Sequence, residues 1–217
     1  MGQYTTKGLY NKYDKNHKER SKTDYYATPT VEVSHFLTEL GYDFSNQNIL
    51  EPCAGGGHML EGIYDYVLSN NQKNVDIVAT DLHKHKRVNL YPILTGEQYD
   101  FIGDEYIVEK PIDWVIMYPP YASIEPFTIR ALEIAEKGVI MLARLQFLEG
   151  EKRYNSILKD NPPNAVYVYV DRVQCWKDGV EPEGSSAQAY AWFVWRTNYP
   201  HIPKETRVHW LRRADKI

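Results

Sequence analysis

Ile49-Leu50-Glu51-Pro52-Cys53-Ala54-Gly55-Gly56-Gly57-His58-Met59 reads as a short strand, a tight glycine turn and the start of a helix. Three consecutive glycines remove the Cβ atoms that would hold a ligand off the backbone, and the helix behind them presents N–H groups without intrahelical partners. The Lys-Ser/Thr pair of a phosphate loop is missing, and the spacing is not GxGxxG. The acid at the strand end, Glu51, repels a pyrophosphate but accepts hydrogen bonds from an ammonium or a hydroxyl. The loop therefore favours a cationic cofactor such as S-adenosylmethionine over NAD or ATP.

Outward from this loop the chain alternates strands and helices. Val33, Phe36, Leu37 and Leu40 fall at helical spacing, with Gly41 as a stop signal. Strands are expected over residues 49–51, 76–80, 112–117 and 139–143, and helices over 58–68 and 124–137. That rhythm indicates an α/β fold with a parallel sheet covered on both faces. Residues 165–170 and 189–196 are rich in Val, Tyr, Trp and Phe and are separated by a polar loop over 177–187, which suggests an antiparallel pair closing the sheet.

The chain has 217 residues, 43% hydrophobic and 25% charged, enough for one sizeable core. No apolar run approaches twenty residues, which excludes a membrane-spanning helix. The first twenty residues lack the apolar stretch of a signal peptide, so a cytoplasmic location is expected. Cys53 and Cys175 lack metal-ligand spacing and are expected to be thiols. No metal site is expected, and the basic run over 83–87, with His83 and His85, reads as a solvated loop. Trp176, Trp192, Trp195 and Trp210 are expected to fill the core or its rim.

The net charge of -4 conceals a distribution. Residues 1–25 carry six Lys/Arg against three Asp/Glu, and residues 204–217 carry five against two, so the body between them is acidic. Residues 1–25 show no helical or strand period and are expected to be a flexible basic arm, with 26–217 as a single domain. Such ends either touch a polyanion or are simply solvated, and both readings stay open.

Asp81 stands at the end of the second expected strand, where a carboxylate holds a ribose diol in nucleoside-binding α/β sheets; the alternative is that it only caps a turn. Asp100-Phe101 offers a further acceptor beside an aromatic face, suited to an adenine ring. After the strand over 112–117 comes Tyr118-Pro119-Pro120-Tyr121. Here the sequence resembles the phage and prophage DNA N6-adenine methyltransferases, class I amino-methyltransferases whose signature at this place is Asn-Pro-Pro-Tyr or Asn-Pro-Pro-Phe. Tyr26-Ala27-Thr28-Pro29, the stretch 144–153, Asn161-Pro162-Pro163 and 190–195 also resemble this family. The resemblance implies a Rossmann-like fold whose seven-stranded, mostly parallel sheet has an antiparallel C-terminal strand. It implies S-adenosylmethionine as cofactor, DNA as partner and the cytoplasm of a bacterial host. Cofactor contacts would come from Tyr26, Thr28, Pro29, Glu51, Ala54, Gly55, Asp81, Asp100 and Phe101, and the target pocket from Tyr118, Pro119, Pro120 and Tyr121.

The N6 lone pair of adenine is delocalised into the ring, so the amino group attacks only once it is pyramidalised. Hydrogen bonds from that amino group to a side-chain oxygen and to the carbonyl between the prolines favour this geometry and stabilise the developing positive charge. Tyr121 offers a face for a base that has left the stack. Tyr118 departs from the family pattern, because a phenol oxygen lies farther from the backbone than an amide oxygen. A weak or inactive homologue, a displaced substrate, and an acceptor supplied by another group are the three explanations. A protein that keeps the fold but only binds DNA or a partner is the alternative of a different class. Methylation of RNA, cytosine N4 or protein glutamine is the enzymatic alternative.

Overall fold

A computed structural model of the protein describes residues 24–83, 99–103, 110–181, 183, 188–197 and 205–217. Residues 1–23 of the expected arm and residues 84–87 of the basic run lie outside the described residues. So do residues 182 and 184–187 of the polar loop.

After a two-residue strand, β1 (Tyr26–Ala27), comes α1 (Thr30–Leu40). Val33, Phe36 and Leu37 form its fully buried stripe, and Gly41 ends it in the left-handed region at φ 65°, its N–H donating to the Leu37 carbonyl. β2 (Asn48–Glu51) leads through the glycine turn into α2 (His58–Ser69), which buries Met59, Leu60, Ile63, Tyr66 and Val67 at helical spacing. The two helices cross closely at Gly62, where a Cβ would lie 2.5 Å from Val33 Cβ and 2.6 Å from the Thr30 carbonyl oxygen. β3 (Asp76–Ala79), β4 (Ile112–Met117), α3 (Ile124–Ile134) and β5 (Ala135–Arg144) follow. The last third supplies β6 (Ala165–Tyr169), β7 (Trp176–Lys177), β8 (Tyr190–Arg196) and β9 (Arg207–Leu211).

Among the described residues, seven strands form one sheet in the order β3-β2-β4-β5-β8-β6-β9. β2 pairs in parallel with β3 and β4, β4 with β5, and β6 with β9, while β8 runs antiparallel to both β5 and β6. The antiparallel pairing of residues 165–170 with 189–196 is as expected. The antiparallel strand is not the C-terminal one, however. β9 comes after it and adds a parallel edge that no sequence signal announced. Successive residues of β5 face opposite layers: Ile140 and Leu142 join the core under α1 and α2, whereas Val139, Met141 and Ala143 join the core under α3. No helix among the described residues is long and apolar enough to cross a membrane.

Two further boundaries differ from expectation. The helix expected over 124–137 ends at Ile134, and Ala135 to Gly138 are already strand. Their composition suits a helix, but Ala135 pairs with Ile112 and Gly138 with Trp114 and Arg196, so tertiary pairing overrides propensity. Gly138 makes that pairing possible, since a Cβ there would lie 2.1 Å from the Trp195 carbonyl oxygen. Of the four tryptophans expected in the core or at its rim, Trp192 and Trp195 are buried and Trp176 is half-buried, but Trp210 on the β9 edge is 73% exposed.

Candidate active site

The strands β2, β3 and β4 all point their C-terminal ends at one crevice, the usual place for ligands in open α/β sheets. The loop after β2 is pinned to its neighbour strand. Ala54 N–H donates to the Thr80 carbonyl (2.9 Å), and Thr80 N–H donates to the Glu51 carbonyl (2.8 Å). Gly55 and Gly57 adopt positive φ of 53° and 84°, as a turn this tight requires. The Asp81 carboxylate spans the crevice edge, accepting from Gly55 N–H at Oδ2 (2.8 Å) and from His83 N–H at Oδ1 (2.7 Å). Asp81 therefore does cap a turn, and it does so while lining the cavity.

A strap formed by residues 24–28 lies along the same crevice. β1 pairs with β7, and Asp178 N–H donates to the Tyr25 carbonyl (3.1 Å). The Tyr25 hydroxyl is 3.0 Å from His58 Nδ1, and its ring covers the glycine turn. A Cβ on Gly55 would lie 2.2 Å from Tyr25 Cε2, and one on Gly56 would lie 2.4 Å from the Tyr25 hydroxyl. The glycines expected to admit a ligand to the backbone also make room for this tyrosine. Asp24 and Tyr25, which fall within the stretch 1–25 expected as an arm, thus make contacts with the body.

Of the residues expected at the site, Tyr26, Thr28, Glu51, Ala54, Asp81, Asp100, Phe101, Tyr118, Pro119, Pro120 and Tyr121 line one cavity. Pro29 and Gly55 stand outside its lining. Pro29 precedes the first turn of α1, where its carbonyl accepts from Glu32 N–H (3.0 Å), and Gly55 is occupied by Asp81 and Tyr25. Phe101 is buried against Phe127 with ring centroids 5.2 Å apart. The sequence reading missed Asp24, Tyr25, His58, Tyr99 and Arg144, which also line the cavity. The motif-adjacent aromatic and acidic residues of 24–25 were a weak signal; His58 stood inside the glycine-loop stretch and Arg144 at the start of the family-like stretch 144–153, but nothing local said that either side chain lines the cavity.

Among the described residues, two polar atoms in this lining are buried and without a hydrogen-bond partner: Glu51 Oε2 and Thr28 Oγ1. Burial pushes the Glu51 carboxyl well above the usual carboxylate range, and the nearby Asp81 charge adds to the shift. Burial, with the Glu51 and Asp81 carboxylates, also pushes the Cys53 thiol up, which keeps it an inert thiol. Among the described residues no group of three or more His, Cys, Asp or Glu could hold a metal ion.

At the other loop, the Tyr118 hydroxyl donates to the Tyr190 hydroxyl (3.3 Å), and the two rings meet edge-on at 6.0 Å. Burial raises the Tyr118 phenol well above its ordinary value, with Cys175 and Tyr190 adding to the rise, so it stays neutral. Burial likewise pushes Tyr190 up to about 12 and Cys175 up to about 12. The Arg144 guanidinium sits 4.7 Å from the centre of the Tyr121 ring and covers one of its faces. Ala122 N–H, just beyond Tyr121, donates to Asp24 Oδ2 (3.2 Å).

A candidate class I S-adenosylmethionine-dependent methyltransferase of Listeria monocytogenes matches with a TM-score of 0.63 over 89% of this chain and 68% of its own, at 15% identity. The fold is that of the class I methyltransferases. The methyltransferase subunit of a type I restriction-modification system of Streptococcus thermophilus matches at a TM-score of 0.59 and 12% identity over 88% of this chain. The match spans 48% of that subunit, so this chain corresponds to about half of its length. A candidate RNA methyltransferase of Pyrococcus horikoshii matches at a TM-score of 0.55 and 16% identity, over 79% of this chain and 86% of its own. No protein-family model matches the sequence, and no curated protein matches it.

Proposed function

We propose that this protein transfers a methyl group from S-adenosylmethionine to the exocyclic N6 amino group of adenine in DNA. The observation that carries the reading is the convergence, in one cavity, of the acid-lined glycine turn and the Pro119-Pro120-Tyr121 loop. The cofactor suits the residues present. Glu51 Oε2 and Thr28 Oγ1 are buried polar atoms lacking partners, and an ammonium or hydroxyl donor on the cofactor satisfies the carboxyl oxygen that burial penalises. Asp81 and Asp100, which line the cavity, would accept from ribose and adenine donors, and Phe101 would supply an apolar wall. Tyr26, at the β1–β7 pair, closes the cavity from the strap side. When bound, the cofactor supplies an electrophilic methyl group.

The chain's own residues do the rest. Pro120 has no N–H to recruit a ladder partner, which keeps the Pro119 carbonyl available to the target amino group. Tyr121 offers the face not covered by Arg144 to a flipped base. DNA as the substrate is supported by the resemblance to phage adenine methyltransferases and by the restriction-modification subunit among the similar folds. The test is transfer of tritium from labelled S-adenosylmethionine to unmethylated DNA, followed by nuclease digestion to identify the base. Label in N6-methyladenine is the expected result. Label in N4-methylcytosine or RNA moves the substrate, and tight cofactor binding with no transfer to any nucleic acid makes this a binding protein.

A further inference from the structure

We infer that Asp24 is the side-chain acceptor for the target amino group, replacing the oxygen that position 118 does not supply. The inference rests on the methyl-transfer reading above. An amino nitrogen conjugated to a ring needs two acceptors to become nucleophilic, and the Pro119 carbonyl is only one. Tyr118 is a poor second, because its ring is held edge-on against Tyr190 and its hydroxyl is kept 3.3 Å from that residue's hydroxyl, farther from the backbone than the oxygen of an asparagine side chain would be.

Asp24 reaches the Pro-Pro loop from the strap instead. Its backbone is left-handed, φ 52°, and the next residue, Tyr25, is locked to His58 at 3.0 Å and to Asp178 N–H through its carbonyl. This anchoring turns the Asp24 side chain onto the loop, where Oδ2 accepts from Ala122 N–H at 3.2 Å. Asp24 thereby lines the cavity together with Tyr118, Pro119, Pro120 and Tyr121. A carboxylate offers about four lone-pair positions, so donors from the protein, Ala122 N–H among them, are compatible with a further donor from the substrate. Its negative charge also complements the ammonium character that builds on nitrogen during attack. In the step itself the nitrogen lone pair forms the N–C bond to the methyl carbon, and the C–S pair returns to sulfur, leaving a neutral thioether. The surplus amino proton passes to Asp24 and then to water.

Asp24→Ala and Asp24→Asn decide the matter, each read for kcat, for cofactor affinity and for thermal stability. A second, transfer-independent measurement compares binding of oligonucleotides carrying adenine or purine, which lacks the amino group, in the presence of S-adenosylhomocysteine. Asp24→Ala is expected to lower kcat about 100-fold, the scale for losing one transition-state hydrogen-bond partner, with cofactor affinity little changed. Asp24→Asn keeps an oxygen, and asparagine tolerates positive φ, so it recovers about tenfold of that loss. The wild type is expected to prefer adenine over purine about tenfold, and Asp24→Ala to lose the preference. Wild-type rates in Asp24→Ala overturn the role of Asp24 and leave the methyl-transfer reading intact. A wild type that neither transfers methyl nor distinguishes adenine from purine overturns both. No transfer with a preference that depends on Asp24 overturns the reaction and supports the acceptor. If Asp24→Ala does not fold, Asp24→Gly, which suits the positive φ and carries no acceptor, takes its place, and an unchanged preference together with unchanged kcat in that variant overturns the proposal by itself.

Discussion

Glu51→Gln should make the protein more stable at neutral pH and worse at holding its cofactor. Glu51 is 1% exposed, its Oε2 has no partner, and burial raises its carboxyl well above the usual range. A raised folded pKa means that the native state holds a proton which the unfolded chain releases. The associated stability is therefore complete below the unfolded carboxylate pKa and is lost as pH rises toward the folded one. For a single group the loss is about 1.4 kcal/mol per pH unit between those two values. Gln carries no such proton, so the wild-type curve of unfolding free energy against pH should fall relative to the variant by that slope, starting near pH 5. Urea unfolding at pH 5, 6, 7 and 8, followed by tryptophan fluorescence, measures it. The cofactor should behave oppositely: loss of a charge-assisted hydrogen bond worth about 1.5–3 kcal/mol weakens binding about ten- to a hundredfold by titration calorimetry. Parallel stability curves, or equal cofactor affinity in the two proteins, would refute the assignment of Glu51 as a carboxyl held in reserve for a cationic or hydroxyl donor.

Phe36→Ala removes a ring that lies 4.4 Å from Trp192, stacked and fully buried, and should cost about 3–5 kcal/mol in urea unfolding. Gly138→Ala drives a methyl group into the Trp195 carbonyl, which is backbone and cannot swing away; a cost of about 1–3 kcal/mol, with a fall in melting temperature of several degrees, is expected. Tyr25→Ala removes the His58 contact and vacates the space over Gly55 and Gly56, so residues 24–28 should exchange amide hydrogens faster in mass-spectrometric measurements, while the sheet stays protected.

Much of the fold can be read locally. The apolar spacing of Val33, Phe36 and Leu37, the glycine turn at 55–57 and the Pro-Pro break after Met117 each place an element boundary within a few residues of its observed position. Apolar period and backbone breakers act over one or two turns of chain, so they survive in the sequence as visible patterns. The same locality explains why Glu51, Asp81 and the Pro-Pro loop stood out, since each ends a strand and strand ends line the crevice.

What the sequence alone determined, then, is the α/β order and the set of strand-end residues that line the site. The tertiary structure decided how those residues are used. Asp24 meets Ala122 across 98 positions, Tyr118 meets Tyr190 across 72, and Tyr25 meets His58 across 33. β9 exists because β6 offers it an edge, and residues 135–138 are strand because Ile112, Trp114 and Arg196 pair with them. Periodicity carries no information about such partners. Only packing shows that the glycines at 55 and 56 make room for a tyrosine, and that a carboxylate stands beside the loop that carries Tyr118.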